Sequence, residues 1–151
     1  MSTDLERIVE FLTTIGLEVR FEAIEAPTIL PGLTVDHGVL VVDEAHLAHV
    51  GDLLHEAGHL AVVPPADRSA MTVDMGSDGG MEMGALAWSY AAARHLDLHP
   101  EVVFHDEGYR GDARNLIENF DEGRYVGVPI LVWRGMTTTE AFPSMATWLA
   151  P

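Results

Sequence analysis

The sequence contains no cysteine and no lysine. Without cysteine there is neither a disulfide nor a thiolate ligand, so any metal must be held by imidazole, carboxylate or water, a donor set for hard and borderline ions. Without lysine, all eight basic side chains are arginines, and the 24 acidic residues leave a formal charge of -16. A surface so negative repels nucleic acid and anionic lipid. It points only weakly to cationic ligands, because a solvated acidic face also serves solubility. The N-terminal stretch lacks a basic segment followed by an apolar run, and no apolar segment approaches membrane-spanning length. The expectation is a cytoplasmic chain with neither nucleic acid nor a membrane as partner. With 151 residues, 48% of them apolar, and no long linker, it is expected to form one domain over residues 1–151.

What the chain has in quantity is histidine, eight in all, two of them in His55-Glu56-Ala57-Gly58-His59. On an α-helix of about 3.6 residues per turn, His55 and His59 lie one above the other on a single face and can grip one ion. Glu56 projects roughly 80° from the mean direction of that pair, near enough to take a proton from a water without itself being a ligand. His-Glu-x-x-His is the zincin signature, in which zinc acidifies a water and the glutamate receives its proton before attack on a carbonyl. Leu47, Val50, Leu54, Ala57, Gly58 and Ala61 recur at helical spacing around it. Two imidazoles and a carboxylate on such a half-buried helix are costly to desolvate without a shared partner, and Zn2+ supplies one. Histidines satisfied by structural contacts are the plainer alternative.

In chain order, Thr3-Asp4-Leu5-Glu6 has capping-box spacing, and Leu5, Ile8, Val9, Leu12 and Ile15 predict a first helix ending at Gly16. Leu17, Val19, Phe21 and Ala23 alternate with charged residues, the period of a half-buried strand. Leu33-Thr34-Val35 and the run Val39 to Val42 bracket Asp36-His37-Gly38, a hairpin with Gly38 in the left-handed conformation and His37 as a turn residue. Asp43 is placed to cap the motif helix, expected over residues 44–63 and ended by Pro64-Pro65. His46 and His49 belong on its surface, because one helical face cannot aim four histidines at one ion. Pro, Asp, Ser and Gly then mark a loop over residues 64–80. Met81, Ala85, Trp88 and Ala92 give the next helix its stripe, which ends near His95 and His99, both read as exposed. Leu116, Ile117 and Phe120 predict a short helix among Arg110, Arg114 and Arg124. Val128 to Trp133 reads as a strand, and Phe142, Met145, Trp148 and Leu149 as a terminal segment packed on the core.

Zinc needs a third protein ligand. Glu82, at the rim of the second helix's stripe, can turn towards a neighbouring helix, and Asp74 and Asp78 in the loop before it are its rivals. His105, Tyr109 and Arg110 are polar groups able to line a cleft and stabilise an oxyanion, and nothing in the sequence chooses among them.

The order of hairpin, motif helix, loop and a helix opening with Glu82 resembles the ImmA/IrrE family of small zinc metallopeptidases over about residues 28–104. The resemblance implies zinc held by His55, His59 and Glu82, with Glu56 as general base. The chain departs from the family in having Gly84, Ala85 and Leu86 where an asparagine follows the ligand glutamate, and in lacking a helix-turn-helix module. His-Glu-Ala-Gly-His also occurs in FtsH-type protease domains, a poorer match to the preceding strands. The expected fold is an α+β minimal zincin, a small twisted, mostly antiparallel sheet packed on the motif helix and a second ligand-bearing helix. The expected activity is hydrolysis of a peptide bond in a peptide or protein substrate. A non-catalytic metal-binding or interaction domain and a zinc hydrolase of a non-peptide amide are the alternatives. Glu56 favours an enzyme, because a purely structural metal site has no need of a base beside its ligands.

Overall fold

The computed structural model describes residues 3–72, 79–105 and 113–151, and within them the chain forms an α+β fold. Helix α1, Asp4–Ile15, begins as its capping residues require: Thr3 Oγ1 accepts the Glu6 N–H at 3.1 Å, and Gly16 closes the last turn. Strand β1, Val19–Phe21, is shorter than the alternating pattern suggested, and Phe21 points to solvent, because of that apolar set only Leu17 is fully buried. Strands β2, Leu33–Asp36, and β3, Val39–Val42, form the hairpin, with His37 and Gly38 both at positive φ, a turn whose twist matches that of the strands. The sheet order is β1-β3-β2, with β2 antiparallel and β1 parallel to β3. The sheet is therefore mixed rather than mostly antiparallel. Residues 22–32 carry the chain from β1 to the far edge, so that the hairpin returns β3 alongside β1.

Helix α2, Gly51–Ala61, carries the motif and starts at Gly51 rather than at residue 44. Asp43 does not cap it. The Asp43 carboxylate accepts the Ile24 N–H at 3.1 Å and lies 2.9 Å from His46 Nδ1, while its carbonyl accepts the amides of His46 and Leu47. Asp43 thus ties the end of β3 to the segment leaving β1, and α2 opens at Val50 with no side-chain cap. Close packing selects the start instead. A Cβ on Gly51 would stand 1.8 Å from the Val102 carbonyl oxygen, so only glycine lets the first turn lie against that backbone.

The two prolines end α2 as expected, and helix α3, Pro65–Arg68, begins with proline in its first turn. Arg68 then turns back, its guanidinium donating to the carbonyls of Leu60 at 2.8 Å, Val63 at 2.9 Å and Ala150 at 3.2 Å. A cation there satisfies carbonyls that the end of a helix leaves without partners.

Helix α4, Gly79–His95, is buried on all sides from Ala85 to Ala93 rather than along one stripe, the pattern of a helix enclosed by neighbours. A 3-10 turn at Pro100–Val102 follows, then helix α5, Ala113–Asp121, and helix α6, Val128–Trp133. The last corrects the expected strand. A six-residue run of apolar residues fits either state, and here Gly127 at positive φ, Pro129 in the first turn and burial of Val128 and Leu131 three apart make it helical. α4 packs between α2 and α6, and α2 also touches β2 and β3. The terminus closes over the same helices: Trp88 Nε1 donates to the Trp148 carbonyl at 2.9 Å, and the Ala150 N–H to the Ala61 carbonyl at 2.8 Å. Among the described residues, no helix is long and apolar enough to cross a membrane.

Candidate metal centre

Gly58 sets the distance between the two helices that build the centre. A Cβ on it would stand 2.9 Å from the Ala85 carbonyl oxygen and 3.2 Å from the Ala85 Cα, so α2 crosses α4 almost backbone to backbone. Glu82 lies three residues before Ala85, nearly one turn back along α4, and is carried to the face of α2 that bears the histidines. Its carboxylate meets both imidazoles: Oε1 is 3.2 Å from His55 Nε2, and Oε2 is 2.8 Å from His59 Nε2. The two rings stand at 79° with centroids 5.0 Å apart.

One donor atom from each of the three residues lies within 4.8 Å of the others. Ligand atoms about 2.0–2.2 Å from a tetrahedral ion are roughly 3.4 Å apart, so small adjustments suffice to enclose a cation. Two imidazoles and a carboxylate, with no sulfur, suit zinc or a similar borderline ion. Gly58→Val is expected to push α4 away and weaken metal binding by roughly ten- to hundredfold, read by competition with a chromogenic chelator. Unchanged affinity would show that the close approach does not position Glu82.

The side chains of His59 and His55 are only 6% and 13% exposed, against 39% for Glu82, so the centre is walled by the imidazoles and open on the carboxylate side. Hydrogen bonds from His55 and His59 hold the Glu82 carboxyl well below the usual carboxylate range. Burial opposes charge on His55, but its hydrogen bond to Glu82 and the nearby carboxylates outweigh burial and leave its pKa raised. A protonated imidazole has no lone pair to give, so an entering ion must displace that proton. Since the His55 pKa lies above its ordinary 6.5, metal affinity is expected to fall as the pH is lowered, beginning at a pH above that value. It should then fall about tenfold per pH unit for each proton displaced. Calorimetric titration with zinc across a pH series measures this, and an affinity flat through neutrality and below would contradict it.

Glu56 is half-buried beside the pair. Burial pushes its carboxyl up; charge on His55 and His59 pulls it back, and the carboxylates of Glu82 and Asp52 push it further. A carboxylate so raised is a stronger proton acceptor than one in water.

The fold thus brings His55, His59 and Glu82 together, as the sequence suggested. Asp74, Asp78, Tyr109 and Arg110 lie outside the described residues. His105 is present, with Nε2 2.7 Å from Asp52 Oδ1 and its ring stacked on His49 at 3.7 Å. His49 is therefore not a simple surface residue, whereas His46 is exposed. His37 is a turn residue 2.6 Å from Asp36 Oδ1, and His99 accepts the Glu101 N–H at the start of the 3-10 turn. His95 is exposed but packs its ring on Phe11 and Trp148. Sequence reasoning passed over Asp52, although its place three residues before His55 and four before Glu56 puts it on the motif face. Comparison of the chain with protein-family models, with curated proteins and with solved structures returns no match.

Proposed function

We propose that the chain is a zinc-dependent metallohydrolase, a minimal zincin-like peptidase in which His55, His59 and Glu82 hold the ion and Glu56 is the general base. One observation carries this reading: a carboxylate from a separate helix converges on the same Nε2 atoms that the motif spacing puts forward. Zinc, when bound, supplies a Lewis acid that brings the pKa of a water near neutrality. Glu56, on the same helix turn and with its pKa raised by burial, takes the proton as the water oxygen bonds to the carbonyl carbon. The imidazoles are fixed by burial, and the exposed side of Glu82 leaves an approach for the carbonyl. A peptide is the favoured substrate because β2 is an edge strand that touches α2, where an extended chain can add by backbone pairing.

Zinc-loaded protein incubated with a proteome-derived peptide library is expected to generate new termini, detected by mass spectrometry. They should vanish with a chelator and return with zinc. Cleavage that persists in the chelator, or a library left intact by protein carrying one zinc per chain, would count against a peptidase.

A further inference from the structure

Strand β1 ends the sheet on the side away from β2, and its outer edge is open. The Leu40 N–H donates to the Glu18 carbonyl and the Glu22 N–H to the Val42 carbonyl, both at 3.0 Å, so Glu18, Arg20 and Glu22 turn their backbone groups towards β3. In a parallel ladder the residues between them face the other way. The N–H and C=O groups of Val19 and Phe21 therefore point off the sheet, and among the described residues nothing is bonded to them. Residues 20–23 are all exposed. Phe21 shares a face of the sheet with its register partner Val42, which is fully buried, yet Phe21 itself is 48% exposed. It is a core-face side chain with no strand beyond it. Natural sheet edges are commonly blunted by a charge, a proline or a bulge. The one charge within β1 is turned away from the edge: the Arg20 guanidinium donates to Glu22 and reaches across β3 to Asp36 Oδ2 at 3.2 Å.

We propose that β1 is a docking edge for an extended, basic segment of another protein, which adds to the sheet as a further strand. Antiparallel pairing sets two of its residues opposite Val19 and Phe21, each exchanging both backbone bonds, and apolar side chains at those places cover Phe21. Charge selects the occupant. The chain carries a formal charge of -16, and the exposed Glu18 and Glu22 flank β1, so cations opposite these two complete the match. A second copy of this chain fits poorly. The register that bonds Val19 of one copy to Phe21 of the other sets Arg20 against Arg20 and Glu18 against Glu22, like charges directly opposite one another. The pattern that fits is cation, apolar, small polar, apolar, cation. β1 and β2 lie on opposite sides of β3, so a segment held here leaves β2 free.

The test titrates the intact, isotope-labelled chain with the capped peptide Lys-Val-Thr-Val-Lys at low salt, read by amide chemical shifts and hydrogen exchange. Shifts are expected at Val19 and Phe21, with slowed exchange of both amides. Methylating the backbone nitrogens of the two peptide valines removes the donors to the Val19 and Phe21 carbonyls and should weaken binding roughly tenfold or more. The capped peptide Glu-Val-Thr-Val-Glu, which sets acid against acid, should also bind less tightly than the lysine peptide. No shift at Val19 and Phe21 with millimolar lysine peptide, equal binding of the methylated or the glutamate peptide, or shifts confined to β2 would each overturn the proposal. Protection of the same amides that grows with protein concentration, without peptide, would make a second copy the occupant and overturn it too.

Discussion

Glu56→Gln is expected to keep its metal and to lose hydrolysis by about two to four orders of magnitude, the range for removal of a positioned general base. The amide preserves the shape of the side chain but cannot accept the water's proton. Metal should stay because the carboxylate that closes the ligand group belongs to Glu82, whose two oxygens contact His55 and His59. Glu56 has burial as the main influence on its carboxyl, the setting of an acceptor rather than a ligand. Elemental analysis and turnover on one cleaved peptide separate the roles. Turnover equal to the parent would remove Glu56 as base, and loss of metal would make it a ligand.

The double variant His55→Ala, His59→Ala is expected to fall from about one metal per chain to none. Both imidazoles present Nε2 to one carboxylate, and Glu82 alone, more than a third exposed, offers a cation too little. The Glu82 carboxyl should rise towards the ordinary range, because the two hydrogen bonds that depress it are gone. The stability consequence is larger in the presence of zinc than in its absence. A ligand at about a thousand times its Kd stabilises the folded state by about 4 kcal/mol, so zinc should raise the melting temperature of the parent and leave that of the variant unmoved. A variant that keeps the parent's metal content and zinc-dependent melting would place the ion elsewhere.

The pairing of His55 with His59 was legible because helical spacing is local. Glu82 was legible as a candidate, from its place at the rim of the second helix's apolar stripe and from the family resemblance, with Asp74 and Asp78 as rivals. What the sequence withheld was set by contacts between distant segments. Nothing near residue 51 announces that α2 starts there, since the cause is the Val102 backbone pressed against Gly51, and Asp43, a good cap by residue type, is engaged by Ile24 and His46. The run from Val128 to Trp133 has strand composition, and its helical state follows from burial of Val128 and Leu131 and the turn at Gly127. The parallel pairing of β1 with β3 depends on where residues 22–32 cross.

The site shows the same division. Gly58 is visible within the motif, but its function, the near contact with Ala85 that brings Glu82 into reach, resides in the partner helix. Asp52 is on the readable face, while its partner His105 lies 53 residues away, a pairing with no local signal.

Zinc K-edge X-ray absorption on protein loaded to one zinc per chain tests most directly whether His55, His59 and Glu82 hold the ion. The expected spectrum has nitrogen and oxygen neighbours at about 2.0–2.2 Å and outer-shell scattering from two imidazoles, falling to one in His59→Ala. A parent spectrum that requires a different number of imidazoles, or one unchanged in His59→Ala, would contradict the assignment.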